Sequence, residues 1–537
     1  MIGLDLWWRH ASKTGNLAAP GGLWKFAHAQ ADHIGKVFDW VQCPPCSLTQ
    51  SGVDPTGDGY GVCRYRMLDG TWWGSGEDLL AMTAAFRSYG CQVSGDLVLH
   101  QMIGKSTGYK GADGKTLARG NTSQSWFCGD PIPPYSPADD CPAGPTDKSF
   151  GNKRSYQHSQ DSLSDSLQFI PWLRTRVGFS LFRLDDVKGM WTPAVQQFAA
   201  YAGECYGEYW DGNPQNLAQY ASTVHGMCME DFTAHYRMQT ACNQFDATQF
   251  MNDGPGYFAQ GKGMVFLSNP DTSPGDVMFN RLLGYAWMVG LPSHLIMVSG
   301  QDYFPTALGG FGLGDAIDQM VKIARTYAVG KWQVRYLDKD VAAYTRDGDG
   351  GELGWSGGLL TALNFNVLSE RTVTLGTPFG SHRQLHDVTG HAPDAWTDGQ
   401  GNVTITIPSN AYSGGHSYVM YTPKTSFDGF VYNHSLTTTQ VFQGSNDLDI
   451  PAAVNGDQAL HTQIYVAKGS MITLNVIPDK TGWMDGSSLD AEAVSLTAGT
   501  VHIAPEDGWY QIRLFGEQLP DTGSNYTLRV SYTGVAG

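Results

Sequence analysis

The chain has 537 residues, of which 41% are hydrophobic, and its formal net charge is −17. This length is too great for one core, because an average domain takes about 150 residues and an α/β barrel about 250. The acidic balance argues against a nucleic-acid partner, since binding phosphates requires patches of Lys and Arg. A membrane span is not expected either, because the sequence has no run of about 18 apolar residues.

The N-terminus and the cysteines bear on where the protein works. The first eight residues lack the basic start and long apolar stretch of a signal peptide. We expect an extracellular protein whose signal was removed, with a cytoplasmic location as the alternative. A disulfide between Cys128 and Cys141, which bracket a Pro-rich loop, would suit secretion. Cys43 and Cys46 have CxxC spacing but no second pair, so they indicate zinc only weakly.

Short apolar runs typical of strands alternate with amphipathic stretches as far as about residue 330. Lys36 to Val41 and Gln92 to Leu99 have the composition of strands. Between them, Gly76 to Tyr89 places several apolar side chains near one helical face. Alternating strands and helices imply parallel strands joined by helical crossovers. The large number of these strand–helix units predicts a (β/α)8 TIM barrel of the α/β class. We assign residues 1–101 and 164–333 to this barrel.

The segment 102–163 interrupts the alternation with many Gly, Pro, Ser and Asp residues. A stretch this long predicts an irregular domain, domain B, inserted after the third strand. From Val334 onward, short runs alternate apolar and polar residues between Gly and Asp turns, as Val403 to Ile407 does. This pattern predicts an all-β sandwich, domain C, over 334–424.

A Ser- and Thr-rich link is followed by a further all-β block at 425–537, which we predict to be a second sandwich. It is a candidate carbohydrate-binding module, in which Trp483 and Trp509 would be platforms for sugar rings. The alternatives are that both tryptophans are core residues, or that the block only spaces or docks the enzyme.

Three acidic residues, Asp185, Glu208 and Asp271, follow apolar runs in the barrel. Glycoside hydrolysis needs two carboxyl groups beside the scissile bond, and barrel enzymes place such groups at the C-terminal ends of strands. Arg183 should point to the same face of its strand as Asp185 and should lower the pKa of the Asp185 carboxyl group. Glu208 lies among aromatic residues, which suits a general acid. Each acid alone could be an ordinary salt-bridge or capping residue. The order of the three acids along the chain, each after an apolar run, favours a shared catalytic site instead.

Four short segments resemble, in order, the four sequence regions of glycoside hydrolase family 13, the α-amylase family. They are GDLVLHQ at 95–101, RLDDVKG at 183–189, GEYW at 207–210 and FLSNPD at 266–271. The second and third are most similar to the plant and archaeal α-amylases. The resemblance extends over about residues 1–424 and implies a barrel with an inserted domain and a following β-domain.

The resemblance also implies residue roles. Asp185 matches the nucleophile, Glu208 the general acid/base and Asp271 the stabiliser of the transition state. The residues expected to bind substrate are Arg183, Tyr60, His100, Gln101, Lys188, Tyr209 and Trp210. Among these, Arg183 would hold the nucleophile, Tyr60 would stack on the sugar at the cleavage point, and Lys188 would line the product side.

The sequence departs from the family pattern at two histidines. Gln101 stands where the first region has His, and Pro270 stands where the fourth has His. Gln101 can still donate a hydrogen bond, whereas the side chain of Pro270 cannot. The family's calcium site uses an Asn that is His100 here, together with an acidic pair that has no clear match near 155–160. Calcium is therefore a candidate cofactor without assigned ligands, and no other cofactor or metal ligand is expected.

Together these features predict a monomeric, secreted, retaining hydrolase that cuts internal α-1,4-glucosidic bonds of starch- or glycogen-like α-glucans. Two alternatives remain. The lost histidines suit a transglycosylase or a hydrolase of a modified α-glucan. A catalytically inactive α-glucan-binding protein is the other alternative, and binding of starch without turnover would identify it.

Overall fold

A computed structural model describes most of the barrel and of the β-domain that follows it. The described residues are 1–7, 22–49, 58–66, 68, 71–102, 154–155, 160–251, 262–273, 275–348, 357–411 and 415–423, and beyond 445 the backbone of the strands. The predicted domain B lies almost entirely outside this part, as do Cys128, Cys141, Trp483 and the side chain of Trp509. The disulfide, the sugar platforms and the domain boundaries therefore stay predictions.

Eight parallel strands form the centre of the N-terminal half. They are β1 (Ile2–Asp5), β2 (Trp40–Cys43), β3 (Gln92–Leu97), β4 (Leu181–Leu184), β5 (Cys205–Gly207), β6 (Cys228–Glu230), β7 (Gly263–Phe266) and β8 (Leu295–Val298). The strands close into a barrel in the order β1-β8-β7-β6-β5-β4-β3-β2. Nearly every strand residue is buried, as expected when helices cover the outside of a parallel barrel. The predicted (β/α)8 barrel is confirmed.

Helices connect the strands. The longer ones are α1 (Gly22–Val37), α2 (Gly76–Ser88), α3 (Gln160–Trp172), α4 (Thr192–Ala202), α5 (Pro214–Thr223), α6 (Phe232–Gln244), α7 (Arg281–Met288) and α8 (Gly314–Tyr327). Shorter helical turns are Leu173–Val177, Val187–Gly189, Ala247–Met251, Gly300–Tyr303 and Thr306–Leu308. Within the described ranges, no helix is both long and apolar enough to cross a bilayer. The side chain of Ser75 caps the N-terminus of α2 by accepting from the backbone nitrogen of Asp78.

The predicted strand from Lys36 to Val41 is wrong in its first half. Lys36 and Val37 form the last turn of α1, and the strand starts only at Trp40. The buried face of α1 continues at helical spacing to Val37, and the guanidinium of Arg325 donates to the backbone carbonyls of Lys36 and Val37, at 3.2 and 2.7 Å. These bonds satisfy carbonyl groups that the end of a helix would leave without partners.

The strands after the barrel are antiparallel. The first set comprises β9 (Trp332–Leu337), β10 (Val341–Arg346), β11 (Leu359–Asn364), β12 (Arg371–Gly376), β13 (Gln384–Asp387), β14 (Ala395–Trp396), β15 (Asn402–Ile407) and β16 (Tyr418–Pro423). They make one sheet in the order β9-β10-β11-β16-β13-β14 and a pair β12-β15. In β15, burial alternates with the predicted period of two.

The C-terminal block contains two further antiparallel sheets of four strands. Its strands are β17 (Ser445–Val454), β18 (Leu460–Val466), β19 (Met471–Pro478), β20 (Ser487–Ala491), β21 (Val494–Thr497), β22 (Val501–Ile503), β23 (Gly508–Gly516) and β24 (Ser524–Thr533). The sheet orders are β17-β24-β19-β22 and β18-β23-β20-β21. These sheets and those of 332–423 agree with the two predicted all-β domains.

An aromatic cluster joins the barrel to the first β-domain. Trp287 of α7 stacks on Phe250 with ring centroids 4.4 Å apart, and its ring also meets Tyr344 of β10 at 5.2 Å. The hydroxyl of Tyr344 donates to the backbone carbonyl of Ala286 at 3.2 Å. Because Trp287 and Tyr344 are fully buried, this contact holds the domain against the barrel.

We expect Trp287→Ala to lower the free energy of unfolding by about 3–5 kcal/mol, because it removes a large buried ring and leaves a cavity. Denaturant titration of the variant and the wild type measures the loss. Trp396→Ala is the control, since Trp396 is 62% exposed on the edge strand β14 and should change stability by no more than about 0.5 kcal/mol. Equal small losses in both variants would contradict the role of the cluster.

Candidate active site

Acidic side chains collect at the C-terminal rim of the barrel. Asp5 and Glu230 end β1 and β6, Asp96 lies near the end of β3, and Asp185 and Glu208 directly follow β4 and β5. All five are buried. Parallel strands end at the same rim, which is where barrel enzymes carry their catalytic groups. Carboxyl groups from five strands therefore share one small region.

The guanidinium of Arg183, on β4, lies at the centre of this cluster. Its Nη1 donates to Asp185 Oδ1 at 2.9 Å and to the two oxygens of Asp96 at 2.9 and 3.1 Å. Its Nη2 lies 2.8 Å from Glu208 Oε2, and its Nε donates to Glu230 Oε1 at 2.8 Å. Each nitrogen thus meets at least one carboxylate, an arrangement that the flat, forked guanidinium permits and an ammonium would not. Arg183 and Asp185 point into the site from the same strand end, as their spacing predicts.

One cation facing four acids changes how those acids titrate. Burial, assisted by the neighbouring carboxylates, raises the pKa of Asp96 to about 6 and that of Glu230 to about 7. Burial also holds the pKa of Asp185 well above its usual range, although Arg183 acts to lower it. The expectation that Arg183 sets a low pKa for Asp185 is therefore wrong in its net direction. The guanidinium is shared among four carboxyl groups, so the cluster retains protons near neutral pH.

Asp271 approaches the same rim on the loop after β7. The side-chain oxygen of Asn269 accepts from the backbone nitrogens of Asp271 and Thr272, at 3.0 and 2.9 Å, which fixes the turn. The amide nitrogen of Asn269 donates to Glu230 Oε2 at 3.4 Å. The charge of Asp271 contributes to the raised pKa values of Glu230 and Tyr60, so Asp271 acts within electrostatic range of both. The third predicted acid therefore lies beside the cluster.

Tyr60, His100 and Gln101 contact protein groups around the acids. The hydroxyl of Tyr60 donates to Asp96 Oδ2 at 2.7 Å, and Gln101 Nε2 donates to the backbone carbonyl of Tyr60 at 3.3 Å. His100 Nδ1 lies 2.7 Å from Asp186 Oδ2. His100 and Gln101 are both almost fully buried. Direct contact of either side chain with a sugar stays a prediction.

Lys188, Tyr209 and Trp210 lie on the loops after β4 and β5. Lys188 Nζ donates to the backbone carbonyl of Trp210 at 2.8 Å and lies 5.1 Å from the ring centroid of Tyr209. The indole of Trp210 stacks on Phe232 at 4.9 Å, and its Nε1 donates to the hydroxyl of Tyr236 at 2.9 Å. Trp210 is nevertheless 42% exposed, so a fixed aromatic surface faces solvent near the acids.

Sequence reasoning missed four residues of the cluster, namely Asp5, Asp96, Glu230 and Asn269. Asp96 lies within the segment at 95–101 that resembles the family's first region. Asp5 and Glu230 end short apolar runs, which is the pattern that identified Asp185 and Glu208. Testing every strand end for an acid would have found both. Asn269 lies within the segment FLSNPD at 266–271, but its bond to Glu230 depends on the fold.

The described residues do not form the calcium site that the resemblance implies. Among them, no group of three or more His, Cys, Asp or Glu side chains could hold a metal ion. His100, which stands in place of the Asn ligand, is bound to Asp186. The acidic pair would come from domain B, which lies outside the described part.

The buried Glu230 makes stability depend on pH. A carboxyl with a raised pKa in the folded protein contributes stability below its unfolded pKa, near 4.5, and loses that contribution as the pH rises through about 7. The free energy of unfolding of the wild type should therefore fall as the pH rises from about 5 to about 8. In Glu230→Gln, whose side chain cannot ionise, this fall should be about 1–3 kcal/mol smaller. Urea titrations at both pH values measure the difference. Glu77→Gln, at an exposed site in α2, should follow the wild type, and identical losses in all three proteins would refute the expectation.

No protein-family model matches the chain. Its structure is similar to an α-amylase from Malbranchea cinnamomea at 17% identity, covering 79% of this chain and 96% of that one with a TM-score of 0.59. An α-amylase from Geobacillus thermoleovorans complexed with acarbose matches at 14% identity, covering 79% of this chain and 98% of that one with a TM-score of 0.58. An α-amylase I variant from Eisenia fetida, in complex with maltohexaose, matches at 15% identity, covering 78% of this chain and 96% of that one with a TM-score of 0.57. The chain therefore has the fold of these α-amylases, as the sequence resemblance predicts.

Proposed function

We propose that the chain is a retaining glycoside hydrolase of family 13 that cleaves internal α-1,4-glucosidic bonds of starch- or glycogen-like α-glucans. The observation that carries the proposal is the shared guanidinium of Arg183, which holds Asp185 and Glu208 on its two terminal nitrogens, with Asp271 on the adjoining loop. The α-amylase fold and the order of the sequence motifs support it.

The proposed reaction is a double displacement. Asp185 attacks the anomeric carbon while Glu208 gives its proton to the glycosidic oxygen, so that the bond to the leaving sugar breaks and a glycosyl-enzyme forms. Glu208 then removes a proton from water as the water oxygen attacks the anomeric carbon, so that the bond between this carbon and the Asp185 oxygen breaks and the sugar leaves. In retaining enzymes the two carboxyl groups lie about 5–5.5 Å apart, and here Arg183 brings Asp185 and Glu208 together by binding both.

The protonation of the cluster has to suit this chemistry. A nucleophilic carboxylate must be ionised, so Asp185 has to lose its proton before it attacks, although burial raises its pKa. Arg183, whose Nη1 donates to Asp185 Oδ1 at 2.9 Å, favours that ionised form.

Substrate recognition would use the groups that face the rim. Asp271 would bind sugar hydroxyls, and more strongly as the ring flattens, which is the differential binding that accelerates a reaction. The exposed face of Trp210 offers a flat apolar surface on which a sugar ring can stack. Kinship with the plant and archaeal α-amylases, secretion and a monomeric state are further proposals that rest on the sequence.

One feature favours a second candidate, a transglycosylase or a hydrolase of a modified α-glucan. Neither position expected to carry a sugar-binding histidine offers an imidazole, since Pro270 has no side-chain donor and the amide of Gln101 is bound to Tyr60. A weaker hold on the reacting sugar could change the preferred bond or acceptor. The products formed from starch, pullulan and maltooligosaccharides distinguish this candidate from an ordinary amylase.

We expect Asp185→Asn and Glu208→Gln to lower kcat for reducing-end release from soluble starch by at least about 10²–10⁴-fold, because each removes a group that forms or breaks a bond. Asp315→Asn, at an exposed site in α8, is the control and should match the wild type. Full activity in either active-site variant would remove the assignment. A wild type that binds starch without turnover would identify an inactive glucan-binding protein instead.

A further inference from the structure

Glu230 occupies a buried position between the two parts of the candidate site. It is the last residue of β6 and is only 1% exposed. Burying a carboxyl group is costly unless its oxygens are hydrogen-bonded, and here each oxygen has a different partner. Oε1 accepts from Nε of Arg183 at 2.8 Å, and Oε2 accepts from Nδ2 of Asn269 at 3.4 Å.

Each partner in turn holds a different member of the proposed catalytic set. Arg183 binds Asp185 through Nη1 and Glu208 through Nη2. Asn269 accepts from the backbone nitrogen of Asp271 through its side-chain oxygen, at 3.0 Å. A continuous path of hydrogen bonds therefore runs from the nucleophile and the acid/base, through Glu230, to the loop of the third acid.

We propose that Glu230 is a positioning residue for the hydrolysis, which fixes the rotation of the Arg183 guanidinium and at the same time the loop that presents Asp271. This inference rests on the proposed function. A guanidinium without its Nε contact can rotate, so its terminal nitrogens no longer meet both reacting carboxyl groups. Misplacing a catalytic group by about 1 Å can cost roughly 10²-fold in rate.

The donor–acceptor pattern of the hydrogen bond between Glu230 and Asn269 allows a specific test. In Glu230→Gln the new amide nitrogen faces the amide nitrogen of Asn269, so two donors oppose each other. In Asn269→Asp two carboxyl groups oppose each other. The double variant E230Q/N269D reverses the link, because the amide at position 230 donates to the carboxylate at position 269. That carboxylate can still accept from the backbone nitrogen of Asp271, and the total charge equals that of the wild type.

The experiment is a double-mutant cycle of kcat and KM on a defined maltooligosaccharide, with the thermal unfolding midpoint of each protein measured alongside. We expect each single variant to lower kcat by at least about tenfold with KM changed less than about threefold, because the reacting groups are misplaced rather than lost. The kcat of the double variant should be at least about tenfold higher than that of the less active single variant. Glu204→Gln, at the opposite end of β5 and paired with His294, should leave kcat unchanged.

A double variant no more active than the weaker single variant would overturn the proposal while leaving the proposed function intact. If Glu230→Gln does not fold, the comparison of Asn269→Asp with the double variant still decides the matter. A purely structural role would move the unfolding midpoints without restoring kcat in the double variant. A wild type that releases no reducing ends would instead refute the proposed function, and with it any part of Glu230 in that reaction.

Discussion

The contact of one guanidinium with four buried carboxyl groups is the constraint on which this site depends. If Asp96, Asp185, Glu208 and Glu230 were all ionised, Arg183 would leave a net charge of −3 inside the barrel rim. A poorly solvated site does not hold that much like charge, so protons remain on part of the cluster. The number and place of those protons, more than any single ion pair, determine which carboxylate is free to react.

The barrel makes this contact geometrically simple. Strands β3, β4, β5 and β6 are consecutive neighbours, and each carries or precedes one of the four acids. An arginine on β4 therefore reaches across the rim to its neighbours on both sides, while Asn269 joins the loop after β7 through Glu230. The buried cluster is costly for stability and useful for chemistry, because Arg183 holds Asp185 and Glu208 while its own orientation is fixed by Asp96 and Glu230 on other strands.

Local pattern was enough to predict much of this structure, but not the links between strands. Apolar runs alternating with amphipathic stretches predicted the barrel, and RxD spacing placed Arg183 and Asp185 on one face. The error at Lys36 and Val37 arose because an apolar last helical turn runs directly into a strand, and the capping Arg325 is distant in sequence. The pKa of Asp185 was misjudged for a similar reason: its spacing from Arg183 does not reveal three competing acids. Glu230 and Asn269 become meaningful only once β6 and β7 are adjacent.

The most direct test of the account is to trap the covalent intermediate with an activated fluoroglycoside, which forms a glycosyl-enzyme faster than water releases it. Mass spectrometry of the digested protein then identifies the modified side chain. The account predicts one sugar adduct, on the peptide that contains Asp185, and an adduct that disappears when a maltooligosaccharide acceptor is added. An adduct on Asp271, Glu208 or Glu230, formed by an enzyme that turns over starch, would contradict the assignment of the nucleophile.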